Sequence, residues 1–184
     1  AKQLSRMLVE SGQRPDTVLL SMGRFAEDES AQAAVVLLDG SEGASVRYAS
    51  CCRPIPGDEI RGYLGRGEGL LVHTAECQTG RRVFQRDSEH WIDVAWADEL
   101  QHPFEAEVGV LMNNVKGALA QVAAGVSQAE ADITHVEMNK DSDVARETAE
   151  MRMLIAVRDR HHLADVLRVV RRVSPVMRVW RIKP

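Results

Sequence analysis

Apolar and polar positions alternate most regularly from Pro103 onward. The run FEAEVGVLM, from Phe104 to Met112, alternates and ends at Asn113-Asn114, which predicts a strand followed by a turn. In GALAQVAAGVSQAEA, Leu119, Val122, Ala123 and Val126 share one helical stripe. ITHVEMN and ETAEMRMLIAV read as two further strands, separated by the polar turn NKDSDVAR. HHLADVLRVVRRV predicts a second amphipathic helix with Leu163, Val166, Leu167 and Val170 inward, and VMRVWRI a closing strand. The order βαββαβ is the split ferredoxin-like arrangement, two helices on one face of an antiparallel sheet.

The preceding stretch carries a different pattern. VRYA is a short strand leading into Cys51 and Cys52, and Pro54, Pro56 and Gly57 then exclude a helix. EIRGYL and GLLVH predict two strands joined by a glycine-rich link, and HWIDVAWA another beginning at Trp91-Ile92. These predict a small α/β or mostly β module over 41–100. Residues 1–40 read as short helices: Leu4, Met7 and Leu8 share a face, Asp16 caps a turn ended by Gly23, and Ser30 precedes AQAAVVLL. The predicted organisation is a helical segment over 1–40, the cysteine-containing module over 41–100, and the βαββαβ domain over 103–184. The fold class is α+β.

Composition adds limits. Apolar residues make up 45% and charged residues 27%, as in ordinary globular chains, while aromatics are only 4%. Base stacking would therefore rest on few rings. No apolar run reaches membrane-spanning length and no signal peptide opens the chain, so a cytoplasmic location and no membrane partner are expected. The chain begins at Ala1, as expected of a processed chain or an excised fragment. A net charge of −4 argues against a wholly basic nucleic-acid binder. Yet from Arg146 onward ten Arg and Lys face four Asp and Glu, with Arg168, Arg171, Arg172, Arg178, Arg181 and Lys183 forming a basic surface.

The candidate chemistry concentrates in CCRPIPGDEIRGYLGRGEGLLVHTAEC, from Cys51 to Cys77. Cys51, Cys52, His73 and Cys77 are four soft or borderline donors suited to tetrahedral zinc. Adjacent cysteines on a regular strand point to opposite faces, so both reach one ion only if the backbone turns between them. The alternatives are thiols packed in a small core beside a hydrogen-bonded histidine, or redox-active thiols near Arg53. HWID and HHLAD are the nearest approaches to His–Asp metal sites, and structural or solvated roles suit them better. No phosphate-binding loop or nucleophile elbow appears.

The cysteine run followed by the βαββαβ pattern resembles the C-terminal regulatory region of the long RelA/SpoT family, which makes and degrades (p)ppGpp. YASCCRPIPGDEIRGYLGRGEGLLVHTAEC is similar to that family's cysteine-containing intersubdomain module, and the βαββαβ unit to its terminal ACT domain. The leading helices are similar to the helical segment after the TGS domain. The resemblance implies a fragment with no catalytic residues of its own. Its partners would be N-terminal synthetase and hydrolase domains of a parent chain. It also implies contact with ribosomal RNA, for which Arg53, Arg61 and Arg66 would meet phosphates.

In ACT domains the first strand–helix turn often takes an amino acid across a dimer interface. Here that turn is Asn113, Asn114, Gly117, Ala118 and Leu119, with free helix-start amides for a carboxylate, and a branched-chain amino acid is the preferred ligand. The family's commoner pattern has Arg where this chain has Val115. A homodimer is expected, because pairing covers exposed sheet edges. The alternative from another class is a stand-alone amino-acid sensor that regulates a different enzyme.

Overall fold

The computed structural model describes residues 36–40, 45–65, 69–100, 102–138 and 147–183. Leu4, Met7, Leu8, Asp16, Gly23 and Ser30, which carry the expected N-terminal helices, lie outside the described residues, as does Arg66. The chain divides into two compact units. One comprises Glu59–His102 with the described residues before Ser50, and the other Ser50–Asp58 with the chain from Pro103.

Among the described residues the first unit is a five-stranded sheet with one α-helix. Its strands are β1 (Val36–Leu38), β2 (Val46–Tyr48), β3 (Ile60–Gly65), β4 (Gly69–Thr74) and β5 (Trp91–Trp96), in the order β1-β5-β3-β4-β2. The segment Val36–Leu38, expected to be helical, is instead a strand paired parallel to β5, Val36 opposite Val94 and Leu38 opposite Trp96. The reason is tertiary. Three branched apolar residues in a row fit a pleated, buried edge, and Val36 and Leu38 enter a core with Val46, Ile60, Leu70, Val72 and Val94. β3 and β4 form the predicted antiparallel hairpin, while β2 runs parallel to β4.

Helix α1 (Gln78–Arg86) fills what reads in sequence as a polar stretch. QTGRRVFQR carries almost no apolar stripe, and only Gly80 of the helix is buried. Its start is set instead by Cys77, whose Sγ accepts from the Gly80 amide at 3.4 Å as a helix cap. Its end is set by Asp87, whose carboxylate accepts from the Tyr63 hydroxyl at 3.0 Å and meets His90 Nδ1 at 2.5 Å.

The second unit is the expected βαββαβ domain. β6 (Phe104–Asn113), α2 (Ala118–Gln128), β7 (Asp132–Met138), β8 (Thr148–Val157), α3 (Arg160–Arg171) and β9 (Val176–Arg181) follow in that sequence, and the sheet order is β7-β8-β6-β9, all antiparallel. Alternation decides which side is buried: Ala106, Val108, Val110 and Met112 of β6 and Met151, Met153, Ile155 and Val157 of β8 are all within 2% of full burial. Each of these side chains larger than alanine contributes about 1.5–3 kcal/mol. Val122 and Val126 of α2 and Leu163, Val166 and Val170 of α3 supply the helical part of this core.

Leu119 departs from the expected stripe. It is 42% exposed, and Ala118 and Gly125 take its place inward, because a small residue lets the helix approach its neighbours closely. On β6 Gly109 serves the same end. A Cβ there would lie 2.5 Å from the Trp180 ring, so the indole lies across the glycine, with the Arg178 guanidinium 5.1 Å from its centroid.

Of the two histidines of HHLAD, His162 has a structural role and His161 is exposed. His162 is buried, accepts from the Arg158 amide at 3.1 Å through Nδ1, and places Nε2 2.8 Å from the Ala129 carbonyl. Asp159 caps the helix by accepting from the His162 amide at 2.7 Å, and Asp165 pairs with Arg168.

Candidate functional site

The four residues singled out in sequence form one group. The ligand atoms of Cys51, Cys52, His73 and Cys77 all lie within 4.8 Å of one another. Cys52, His73 and Cys77 are buried and Cys51 is half-buried. A tetrahedral zinc–thiolate site, with bonds near 2.3 Å, has sulfur–sulfur edges of about 3.8 Å. The group is therefore close to ligand geometry and needs only modest contraction.

The backbone supplies the turn that adjacent cysteines require. Cys51 and Cys52 lie in a turn after β2 rather than on a strand, and the following Arg53 has φ 41°, in the left-handed region that side chains other than glycine rarely adopt. That strain is held by contacts around the loop. Asp58 accepts both guanidinium nitrogens of Arg181, at 2.8 and 2.6 Å, and also the Ile55 amide at 3.1 Å. Arg181 donates in addition to the Arg53 carbonyl at 2.9 Å. The Arg160 amide donates to Pro56 at 2.9 Å, and the Arg53 side chain pairs with Glu105 at 2.8 Å.

Burial pushes the Asp58 carboxyl up. The hydrogen bond and charge of Arg181, the Ile55 amide and the charge of Lys183 outweigh it and hold the group below its ordinary value.

His73 stands on β4 beneath α1, where a Cβ on Gly80 would come within 3.2 Å of its ring. Glycine there is what lets the helix start lie over the imidazole. The Trp91 ring lies 5.9 Å away. Burial lowers the His73 pKa from its ordinary 6.5, which keeps a neutral ring with a lone pair for a metal. The Gly80 amide aimed at Cys77 Sγ favours negative charge on that sulfur. Donor set, burial and neutral imidazole all fit a cation of zinc type, and the cluster could hold a metal ion.

The other candidate positions are more dispersed. Arg53 is engaged by Glu105 and by Glu107 at 3.8 Å, so it is not an open phosphate contact. Arg61 is exposed and its guanidinium lies 5.4 Å from the Phe84 ring centroid. Arg181, expected on the basic surface, is spent on Asp58, with its side chain only 10% exposed. Asn113 ends β6 and its amide donates to Pro175, while the Asn114 amide donates to Glu147. Gly117, with φ 81°, sits at the α2 N-cap without a side-chain cap, and Val115 and Leu119 beside it are exposed. The Asp58–Arg181 pair has no sequence signal: its members lie 123 positions apart.

Fold and site together define a cysteine-bearing α/β module followed by a ferredoxin-like regulatory domain. Residues 36–97 match the RelA/SpoT RIS domain, and residues 100–181 match the ACT domain. The bifunctional (p)ppGpp synthase/hydrolase SpoT of Escherichia coli is 33% identical over 144 residues, covering 78% of this chain and 20% of that protein. A probable GTP pyrophosphokinase of Mycobacterium leprae is 30% identical over 166 residues, 90% of this chain and 20% of that one. The crystal structure of the ACT domain from the GTP pyrophosphokinase of Chlorobium tepidum superimposes with a TM-score of 0.37 at 19% identity, covering 44% of this chain and 99% of that one.

The chain belongs to the RelA/SpoT family and corresponds to the C-terminal regulatory region of its long members. It spans about a fifth of the length of the curated relatives it matches. Among the described residues no helix is long and apolar enough to cross a membrane.

Proposed function

We propose that this region is non-catalytic, acts in the cytoplasm, and transmits ribosome or amino-acid status to (p)ppGpp synthetase and hydrolase domains of a parent chain. The observation that carries this reading is the RIS match followed directly by the ACT match, in a chain spanning a fifth of relatives that bear those activities in their names. A ligand or RNA shifts such an equilibrium only through unequal affinity for the two states. In the full-length product of the gene, Arg61→Glu or Gly117→Val should change the ratio of (p)ppGpp synthesis to hydrolysis, measured with and without ribosomes, by about fivefold or more. An unchanged ratio in both variants would sink the proposal. In this reading the boundaries 1–40, 41–100 and 103–184 are functional segments, the four-residue cluster holds zinc, and Arg61 and Arg66 meet ribosomal RNA.

A second reading, an amino-acid sensor acting on another enzyme, is favoured by the uncapped start of α2. There Gly117 leaves open space and Val115 and Leu119 offer exposed apolar surface. A branched-chain amino acid would place its carboxylate at the helix start, with Asn113 and Asn114 near its amino group. Val136 and Met138, exposed on the edge strand β7, suit pairing with a second copy. Calorimetry with valine, leucine and isoleucine should give saturable heat for at least one. Flat titrations with all three exclude this ligand class.

A further inference from the structure

Cys51 and Cys52 ride on the segment Ser50–Asp58, which is part of the second unit with the chain from Pro103. No helix or strand covers 50–59, so the shape of this segment comes from what holds it. Ile55 is fully buried, and Pro54 and Pro56 on either side of it are buried as well. The Arg160 amide at the start of α3 donates to the Pro56 carbonyl at 2.9 Å.

The anchor nearest the cysteines is Arg181 of β9. Its Nη2 donates to the Arg53 carbonyl at 2.9 Å, one residue past Cys52, and to Asp58 Oδ2 at 2.6 Å. Its Nη1 donates to Asp58 Oδ1 at 2.8 Å, and that carboxylate also accepts from the Ile55 amide. One guanidinium thus ties the two ends of the turn to each other and to the closing strand. A lysine could not do this, because its ammonium is a single point charge without the planar fork.

The tie matters because Arg53 has φ 41°, a conformation that persists only where its surroundings hold it. Rotation about the Arg53 N–Cα bond swings Cys51 and Cys52 relative to the buried Ile55. The other hold on Arg53, its side-chain pair with Glu105, involves a carboxylate 48% exposed, and such pairs contribute little. β9 is itself an edge strand with β6 as its one partner in the sheet.

We propose that Arg181 sets the metal affinity of the Cys51, Cys52, His73 and Cys77 group by fixing the turn that carries its two adjacent cysteines. This rests on the reading that the group holds zinc. Metal binding and the attachment of β9 to the loop are then coupled, and the coupling is reciprocal: whatever displaces β9 weakens the metal, and the metal steadies β9.

The test measures zinc affinity of the full chain by competition with a chromophoric chelator. Arg181→Lys and Asp58→Asn should each weaken zinc by about tenfold, at the low end of the loss seen when a group that orients metal ligands is changed. Glu105→Gln should cost less than about fivefold, as for an exposed pair. Met112→Ala is the control for general destabilisation. Met112 is buried in the same sheet, five residues beyond Glu107 along β6 or ~17 Å away, and its truncation should leave zinc affinity unchanged.

A second readout follows the reciprocal effect. The Ile182 amide donates to the Glu107 carbonyl at 2.8 Å and should exchange with solvent more slowly once zinc is added, in the native chain and not in Arg181→Lys. Native zinc affinity in both Arg181→Lys and Asp58→Asn overturns the role of Arg181 and leaves the metal assignment standing. An equal loss in Met112→Ala, or Ile182 exchange that ignores zinc, overturns it as well. A native chain that takes up no zinc overturns the metal reading and this coupling with it.

Discussion

Arg181→Met should destabilise the ACT unit by about 3–5 kcal/mol at neutral pH, because it strands a buried carboxylate. The side chains of Arg181 and Asp58 are 10% and 4% exposed, so water neither screens their attraction nor replaces it once broken. Two parallel N–H···O bonds, the Arg53 carbonyl and the Ile55 amide form one network around that carboxylate. Methionine keeps most of the length and apolar stem of the arginine, so the change isolates the charge.

The pH dependence gives the sharper check. In the native chain the folded Asp58 carboxyl lies below its ordinary 3.8, so near that pH the unfolded chain binds more protons. Its stabilisation is therefore present above 3.8 and lost as pH falls through the folded value. Without Arg181 its hydrogen bond and charge no longer oppose the raising effect of burial, so the folded carboxyl should rise from its native value. Acid then protonates the folded carboxyl at a higher pH than in the native chain and relieves the stranded charge. Urea unfolding of both proteins from pH 7 to pH 3 should show the gap narrow as pH falls. A constant gap, or one below about 1 kcal/mol at pH 7, would show that the pair behaves as a surface ion pair.

The second large effect concerns the cysteine–histidine group. Chain refolded with zinc and then freed of loose metal should retain one zinc per chain by native mass spectrometry, and Cys52→Ala or Cys77→Ala should retain none. Outer-shell changes cost about 10–100-fold in metal affinity, and loss of a direct ligand costs more. Both cysteines are buried, at 3% and 2% exposure, so each truncation also opens a small cavity. Cys52→Ser keeps the volume and separates the two effects: it should lose the metal while melting close to the metal-free parent. A metal-free native chain after zinc refolding, or full occupancy in the alanine variants, would refute the metal assignment.

How far the chain could be read without coordinates varied with the range of the forces involved. The ACT unit was legible because alternation along β6 and β8 and the helical stripes of α2 and α3 are local records of which side is buried. Leu119 was misplaced on that stripe, since Ala118 and Gly125 allow a closer approach that periodicity alone does not encode. β1 read as a helix, because Val36–Leu38 is too short to carry a period and its parallel partner β5 lies more than fifty residues on. Helix α1 was invisible: its sequence is polar, and its start depends on a cysteine cap.

For the candidate site, residue type and spacing were enough to single out Cys51, Cys52, His73 and Cys77 as a donor set of zinc type. They also marked the region as a RelA/SpoT regulatory one. Whether two adjacent cysteines can face one centre was a tertiary matter. It was decided by the turn at 50–52, the left-handed Arg53, and a buried Asp58–Arg181 pair whose members are far apart in the chain. Local composition records the chemistry a segment carries. Long-range packing and buried charge pairing determine where that chemistry converges, because their energies depend on desolvation that only the folded chain creates.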